Sequence, residues 1–363
     1  MRIAFFGSSL VSSYWNGAAT YYRGLLKALA GCGHDITFYE PDAYERQQHR
    51  DIADPAWARV VVYPATTAGW QQSLESAARA SDLLVKASGI GVFDAELETA
   101  VLDAATSQTM TIYWDVDAPA TLDSIVADPA HRLRRAISRY DMVLTYGGGE
   151  PVVQAYRKIG ARLCVPIYNA LDAETHHPVA PKASFSCDLS FLGNRLPDRE
   201  ARVEEFFVKS AARLSQRSFL LGGSGWETKP FPANVRLAGH VGTADHNAFF
   251  CSAFVSLNIN RDSMVRYGFS PPTRVFEAAG ARACLMTDAW AGIEMFFEPG
   301  REILVAENGE QVAELLDRLT ASEQRAIAAA GYRRVLAEHT YASRARLVCD
   351  LLDARTSKRE VAA

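Results

Sequence analysis

The stretch Ser270-Pro271-Pro272-Thr273-Arg274-Val275-Phe276-Glu277-Ala278-Ala279-Gly280, closely followed by the apolar run Ala283-Cys284-Leu285-Met286, decides how this chain is read. Ser270 is a good N-cap, and Pro271 or Pro272 suits a first helical turn, where a missing N–H costs nothing. A helix opening at Ser270 and ending in a buried-type strand is the repeating unit of a parallel α/β sheet. Its free N–H groups and positive dipole end suit a phosphate. Glu277, within the helix, is a carboxylate able to grip a vicinal diol such as ribose. The alternative for Arg274 and Glu277, three residues apart, is an intrahelical ion pair worth about 0.2–0.5 kcal/mol.

Outward from this stretch the same alternation runs the length of the chain. Short apolar, β-type runs occur at residues 3–6, 36–39, 60–63, 83–85, 110–114, 142–144 and 163–167, with helical spacing between them. Residues 172–186 carry two prolines and little periodicity and read as a linker. Strand-like runs then restart at residues 189–193, 219–221, 235–237, 254–258, 283–286 and 303–305. At 363 residues the chain exceeds the usual size of one core. The expectation is two Rossmann-like domains, residues 1–175 and 187–340. A terminal segment, 341–363, is expected to supply a helix near the domain seam and a frayed tail from Thr356.

Composition excludes several classes. With 48% hydrophobic and 22% charged residues the chain is ordinary globular protein, and no apolar run approaches the ~18–20 residues needed to span a bilayer. The N-terminus enters a strand without a signal-peptide core, so a cytoplasmic protein is expected. A net charge of −4 leaves no basic footprint for nucleic acid. Arg132, Arg134, Arg135 and Arg139 read as a solvated helix face, with peripheral contact to an anionic membrane as the alternative. The six cysteines stand singly and read as reduced core residues. No histidine set with metal spacing is found, His176-His177 being adjacent, so no metal is expected.

In open α/β sheets, ligands sit beyond the carboxyl ends of strands, so the loops there hold the candidates. After the first strand, Asn16 and Gly17 lie in a loop rich in glycine and hydroxyls that lacks the G-x-G-x-x-G spacing. They are either ligand contacts or turn residues. After the fifth come Asp115 and Asp117, two carboxylates two apart, either of which suits a general base on an acceptor hydroxyl. The alternatives are a helix cap and an ion pair. In the second half the candidates are Asn194, Arg199, Gly223, Gly225, Asn258, Ser270, Thr273, Arg274 and Glu277. Arg195 or Arg199 can neutralise a diphosphate by bidentate hydrogen bonds, the alternative being a surface arginine next to Glu200 and Glu204; Arg199, able to open a helix, is the better choice.

Several segments together resemble the two-domain GT-B glycosyltransferases, and more closely the CgeB-like, spore-maturation-type branch. They are Leu189-Ser190-Phe191-Leu192-Gly193-Asn194, Ser256-Leu257-Asn258-Ile259-Asn260-Arg261, the Ser270–Gly280 stretch, Phe297-Glu298-Pro299-Gly300-Arg301-Glu302-Ile303-Leu304, and the run from Gly331 to Tyr341. The resemblance implies two Rossmann-like domains facing each other across a cleft, with a nucleotide-sugar donor in the C-terminal domain. It further implies a sugar, lipid or protein acceptor against the N-terminal one, and no cofactor or catalytic metal. Retaining relatives carry two glutamates separated by seven residues. Glu277 matches the second, but Phe269 stands where the first belongs, so the resemblance leaves retention or inversion open. A nucleotide-sugar epimerase or hydrolase, or a noncatalytic binding protein, is the rival reading.

Overall fold

The computed structural model describes the backbone of residues 1–362 and side chains through Ser357. The chain divides into two compact units, Met1–Tyr168 with Tyr341–Ala363, and Asn169–Thr340. The first change of unit thus falls just ahead of the proline-rich linker expected at 172–186. The terminal segment returns to the first unit rather than forming a separate element. It is one helix, Tyr341–Ala362, and not a tail that frays at Thr356; Ala363 lies outside the described residues. Its close approach to the helix Ala19–Gly31 requires Gly24, where a Cβ would stand 2.2 Å from the Tyr341 ring.

The first unit holds seven strands: β1 (Arg2–Phe6), β2 (Asp35–Asp42), β3 (Ala58–Pro64), β4 (Leu83–Ala87), β5 (Met110–Asp115), β6 (Met142–Thr145) and β7 (Cys164–Pro166). They pair in parallel in the order β3-β2-β1-β4-β5-β6-β7. Runs such as Leu83-Leu84-Val85 are continuous apolar stretches because helices cover both faces of a parallel sheet. Phe5, Phe38, Tyr22 and Trp114 pack ring on ring in one of its layers. Burying each such ring contributes about 1.5–3 kcal/mol.

The second unit holds β8 (Cys187–Leu192), β9 (Phe219–Gly222), β10 (Val235–Gly239), β11 (Ala253–Asn258), β12 (Leu285–Asp288) and β13 (Leu304–Ala306), all parallel, in the order β10-β9-β8-β11-β12-β13. In each unit the order of strands reverses once, between β1 and β4 and between β8 and β11. At such a switch point the two flanking connections leave in opposite directions and open a crevice beyond the strand ends. Every strand read from the sequence is present, within two residues of its expected ends except at β2, which runs three residues further, to Asp42.

The helix of the opening stretch begins later than its sequence suggests. It spans Thr273–Gly280, with Pro272 extended at the N-cap position (φ −66°, ψ 148°). A residue before proline is pushed out of the helical region by the proline Cδ. Pro271, which precedes Pro272, is disfavoured in the helical region, so the helix starts after it and Ser270 lies two residues ahead of the N-cap position.

Of the cysteines, Cys164, Cys187 and Cys284 are buried as expected, Cys251 and Cys349 are half-buried, and Cys32 is exposed; all are free thiols. Arg132, Arg134, Arg135 and Arg139 are exposed, but Arg134 donates to the Ile125 carbonyl and Arg139 pairs with Asp103. No described helix is long and apolar enough to cross a membrane.

Candidate functional site

The switch-point crevice of the second unit is flanked by the connection after β8, which begins Gly193-Asn194-Arg195-Leu196, and by that after β11, Ile259-Asn260-Arg261. The turn after β9 leans against the first of these. Gly223 sits at φ +128°, where a Cβ would come within 2.2 Å of the Gly193 carbonyl oxygen, so only glycine fits. Gly225, also in the left-handed region at φ +89°, lies beside Arg195. The Asn194 side chain accepts from the Ser224 N–H at 3.0 Å and closes the two turns together. Asn194, Gly223 and Gly225 therefore shape the crevice wall.

Arg195 and Arg199 have opposite surroundings. Arg195 makes a two-pronged ion pair with Glu200, both contacts at 2.8 Å. Arg199 has no carboxylate partner of this kind: its Nη1 reaches the Asn194 carbonyl at 3.4 Å, and its Nε is buried without a hydrogen bond. Burial, then the like charges of Arg274 and Arg261, push the Arg199 guanidinium down to about 10. Arg274 is also lowered by burial, with Glu277 opposing. Its Nη1 donates to the Leu192 carbonyl at the end of β8, and its Nε too is buried without a hydrogen bond. Cations held together against their own repulsion form a site that an anion would relieve.

Glu277 is buried, a turn beyond Arg274 on the same helix. The intrahelical pair expected between them is marginal, 4.0 Å from Arg274 Nε to Glu277 Oε2. Its other oxygen lies 3.9 Å from His176 Nε2, and His246 completes a group with all three ligand atoms within 4.8 Å of one another. Burial lowers the His246 imidazole first of all, with the Glu277 charge opposing. Sequence spacing does not point to this group, because His176, in a loop, and His246 and Glu277, on two different helices, lie far apart in the chain. Thr273 sits half-buried in the first turn of the Glu277 helix. Just before that helix Phe269 adopts a left-handed backbone (φ +47°) and donates its N–H to the Ala291 carbonyl at 2.7 Å. Its ring lies where a Cβ on Gly292 would stand, 2.3 Å away. Such a backbone costs on the order of 1–3 kcal/mol and marks a locally constrained position.

Asn258 is not free to meet a ligand. It is buried, and its Nδ2 donates to Asn260 Oδ1 at 3.1 Å and Thr287 Oγ1 at 3.0 Å. A neighbouring buried pair was not foreseen: Asp288, at the end of β12, accepts from Arg202 at 2.5 Å and from the Asn260 N–H. Burial pushes the Asp288 carboxyl up against these contacts. Together they brace the connection after β11.

In the first unit Asp115 and Asp117 part company. Asp115 is fully buried; its Oδ1 accepts from Ser88 Oγ at 2.7 Å, the Asp117 N–H at 3.0 Å and Thr121 Oγ1 at 3.0 Å, and its Oδ2 from Tyr156. Burial raises its carboxyl while these four donors hold it down. Asp115 thus ties the ends of β4 and β5 to two helices and is out of reach of an acceptor. Asp117 is exposed at the N-cap position of the helix Ala118–Ala127. Asn16 likewise turns inward: it is buried, accepts from Ser8 Oγ at 2.8 Å, and donates to the Ser9 and Ser12 carbonyls. Asn16 is a turn residue. Gly17 beside it is exposed, with open space where a Cβ would be.

Comparison with known proteins bears on this arrangement. Residues 199–350 match a family model described as "Glycosyl transferase-like". A search of curated proteins finds no match. Among solved structures the chain is similar to a sucrose-phosphate synthase (tll1590) from Thermosynechococcus elongatus, at 14% identity and TM-score 0.69, covering 99% of this chain and 100% of that one. It is also similar to Anabaena Alr3699/HepE in complex with UDP and glucose, at 12% identity and TM-score 0.63, covering 98% and 100%. An α-glucosyltransferase in complex with UDP-glucose and DNA containing an abasic site matches at 11% identity and TM-score 0.68, covering 98% and 99%. The fold of this chain is that of the GT-B glycosyltransferases.

Proposed function

We propose that this protein is a nucleotide-sugar-dependent glycosyltransferase, with the donor held in the second unit. The observation that carries the reading is the Arg199–Arg274 pair, two half-buried guanidinium groups with unsatisfied Nε atoms at the switch-point crevice, one turn of helix from the buried Glu277. In this reading the guanidinium groups neutralise the diphosphate, and the N–H groups of Thr273 and Arg274 in the first helical turn add to it. Glu277 takes the ribose hydroxyls. The match of residues 199–350 to a glycosyl transferase-like family model supports the donor half, as do fold relatives solved with UDP and UDP-glucose.

Glycosyl transfer breaks the bond between the sugar's anomeric carbon and the diphosphate and forms one to an acceptor oxygen. The leaving diphosphate gains charge as that bond breaks, and the Arg199–Arg274 pair stabilises it there. The acceptor hydroxyl must lose a proton, and we assign that role to Asp117. Asp115, sealed by four donors, instead positions the loop that presents Asp117. The reading takes transfer to need no metal, the place of the reaction to be the cytoplasm, and the acceptor to be a sugar, lipid or protein. The finer assignment to the CgeB-like branch rests on the sequence segments that resemble it.

Thermal unfolding across nucleoside diphosphates and their sugars tests the donor. A ligand that binds only the folded state stabilises it by about 2.7 kcal/mol at a hundredfold excess over Kd. One nucleotide and its sugar are expected to raise the melting temperature clearly above the rest. A uniform absence of shift would sink the reading. Donor turnover in buffer alone at the full rate would favour a hydrolase or epimerase.

A further inference from the structure

The group formed by His176, His246 and Glu277 has a chemistry of its own. A backbone carbonyl can only accept, so the 3.3 Å contact of His246 Nε2 with the Val241 carbonyl places the proton on Nε2. That leaves a lone pair on Nδ1, which is buried and has no hydrogen-bond partner. His176 is fixed in the same way. Thr175 Oγ1 spends its one proton on the Asp172 carbonyl at 3.1 Å, so in its 3.0 Å contact with His176 Nδ1 it must accept. The free lone pair of His176 is therefore on Nε2, which is buried and without a hydrogen-bond partner, 3.9 Å from Glu277 Oε1. A third acceptor, Asn247 Oδ1, is buried and unpartnered close by, with the same amide donating to the Thr175 carbonyl at 2.9 Å.

The unpartnered nitrogens of two imidazoles thus face the Glu277 carboxylate. A histidine whose far nitrogen is anchored to an oxygen acceptor, and whose near nitrogen is bare, has the arrangement of a metal ligand with its supporting hydrogen bond already made. We propose that His176 Nε2, His246 Nδ1 and the Glu277 carboxylate form a site for a divalent transition-metal ion of the zinc class. Two nitrogens and a carboxylate suit such an ion, with water or solute in the remaining position. The ligand atoms lie within 4.8 Å of one another, whereas a bound ion at about 2.0–2.2 Å draws them to roughly 3.5 Å, a closure that side-chain torsions supply. Because the site includes Glu277, metal and ribose occupy it in turn. This last step rests on the reading of Glu277 as the ribose carboxylate.

The test uses the untagged full-length chain, stripped of metal by chelation and dialysed. Titration with Co2+ is expected to give the intense visible absorption of a low-coordinate site, and calorimetry with Zn2+ to give one equivalent bound. His176→Gln and His246→Ala are each expected to weaken Zn2+ binding at least tenfold. The ribonucleosides uridine and guanosine, which carry the diol without chelating phosphates, probe competition. The one that binds the stripped protein is expected to bind the zinc-loaded protein at least tenfold more weakly. Wild-type protein that shows no Co2+ band and takes up no Zn2+ overturns the site, as does Zn2+ uptake unchanged in both variants. If nucleotide binding to stripped protein persists in that case, the donor reading stands while this inference falls. Equal nucleoside affinity with and without bound zinc overturns the shared occupancy.

Discussion

Replacing Arg199 is expected to stabilise the folded protein while weakening nucleotide binding, which exposes the conflict between folding and binding. Its guanidinium is depressed to about 10 by burial and by the neighbouring Arg274 and Arg261. It stays charged at neutral pH in both folded and unfolded chains, so the depression is a penalty carried by the folded state alone. At about 1.4 kcal/mol per pH unit the penalty is about 3 kcal/mol at most, and partial exposure to solvent reduces it to about 1–2 kcal/mol. Arg199→Met keeps the aliphatic stem and removes the charge. For a unit of this size the variant is expected to melt about 3–6 °C higher than wild type without ligand. It should also lose a charge-assisted contact of about 1.5–3 kcal/mol to the diphosphate, raising Kd by about 10- to 150-fold. Differential scanning calorimetry with and without nucleotide reads both effects. A variant that melts lower than wild type, or binds nucleotide equally well, would refute the reasoning.

Other consequences are equally direct. Burial pushes the Glu98 carboxyl up to about 7, with Asp94 and Asp115 adding to the rise and Lys86 and Arg132 opposing it. A folded-state value above the unfolded one contributes stability below about pH 4.5 that is lost as pH rises through 7. Glu98→Gln should therefore match wild type near pH 5 and exceed it by about 2 kcal/mol near pH 8 in denaturant unfolding; equal curves at both pH values would contradict this. Asp115→Ala strands four donors and should cost about 3 kcal/mol in the same assay. Asp117→Asn should lower the rate of transfer at least a hundredfold while leaving nucleotide affinity unchanged, and an unaffected rate would remove Asp117 from the chemistry.

The sheets were legible because covered parallel strands leave an unmistakable trace: Leu83-Leu84-Val85 and Leu220-Leu221 are apolar on both faces, and the intervening helices carry the 3.6 period. The place of Arg199 in the fold could be read in the same way, since the first helix after a leading strand starts at the strand-end crevice. What failed depended on distance in three dimensions. Ser270 was misplaced as a cap by a local rule that another local rule, the effect of a following proline, outweighs. Asp115 and Asp117 look alike as letters, yet a shift of two residues at a strand end separates a sealed core carboxylate from an exposed one. Asn16 and Asn258 were polar residues in the right loops whose hydrogen bonds proved internal. His176 and His246 carried no signal, because they lie far apart in the sequence from each other and from Glu277.

Glu277 beside the arginine pair is the proposed nucleotide site, and calorimetric titration of metal-free protein with UDP, GDP and dTDP tests that assignment most directly. One of these is expected to bind in a single equivalent, and Glu277→Ala to weaken it at least tenfold. Absence of binding by all three, or the same affinity in Glu277→Ala as in wild type, would contradict the assignment of the donor site.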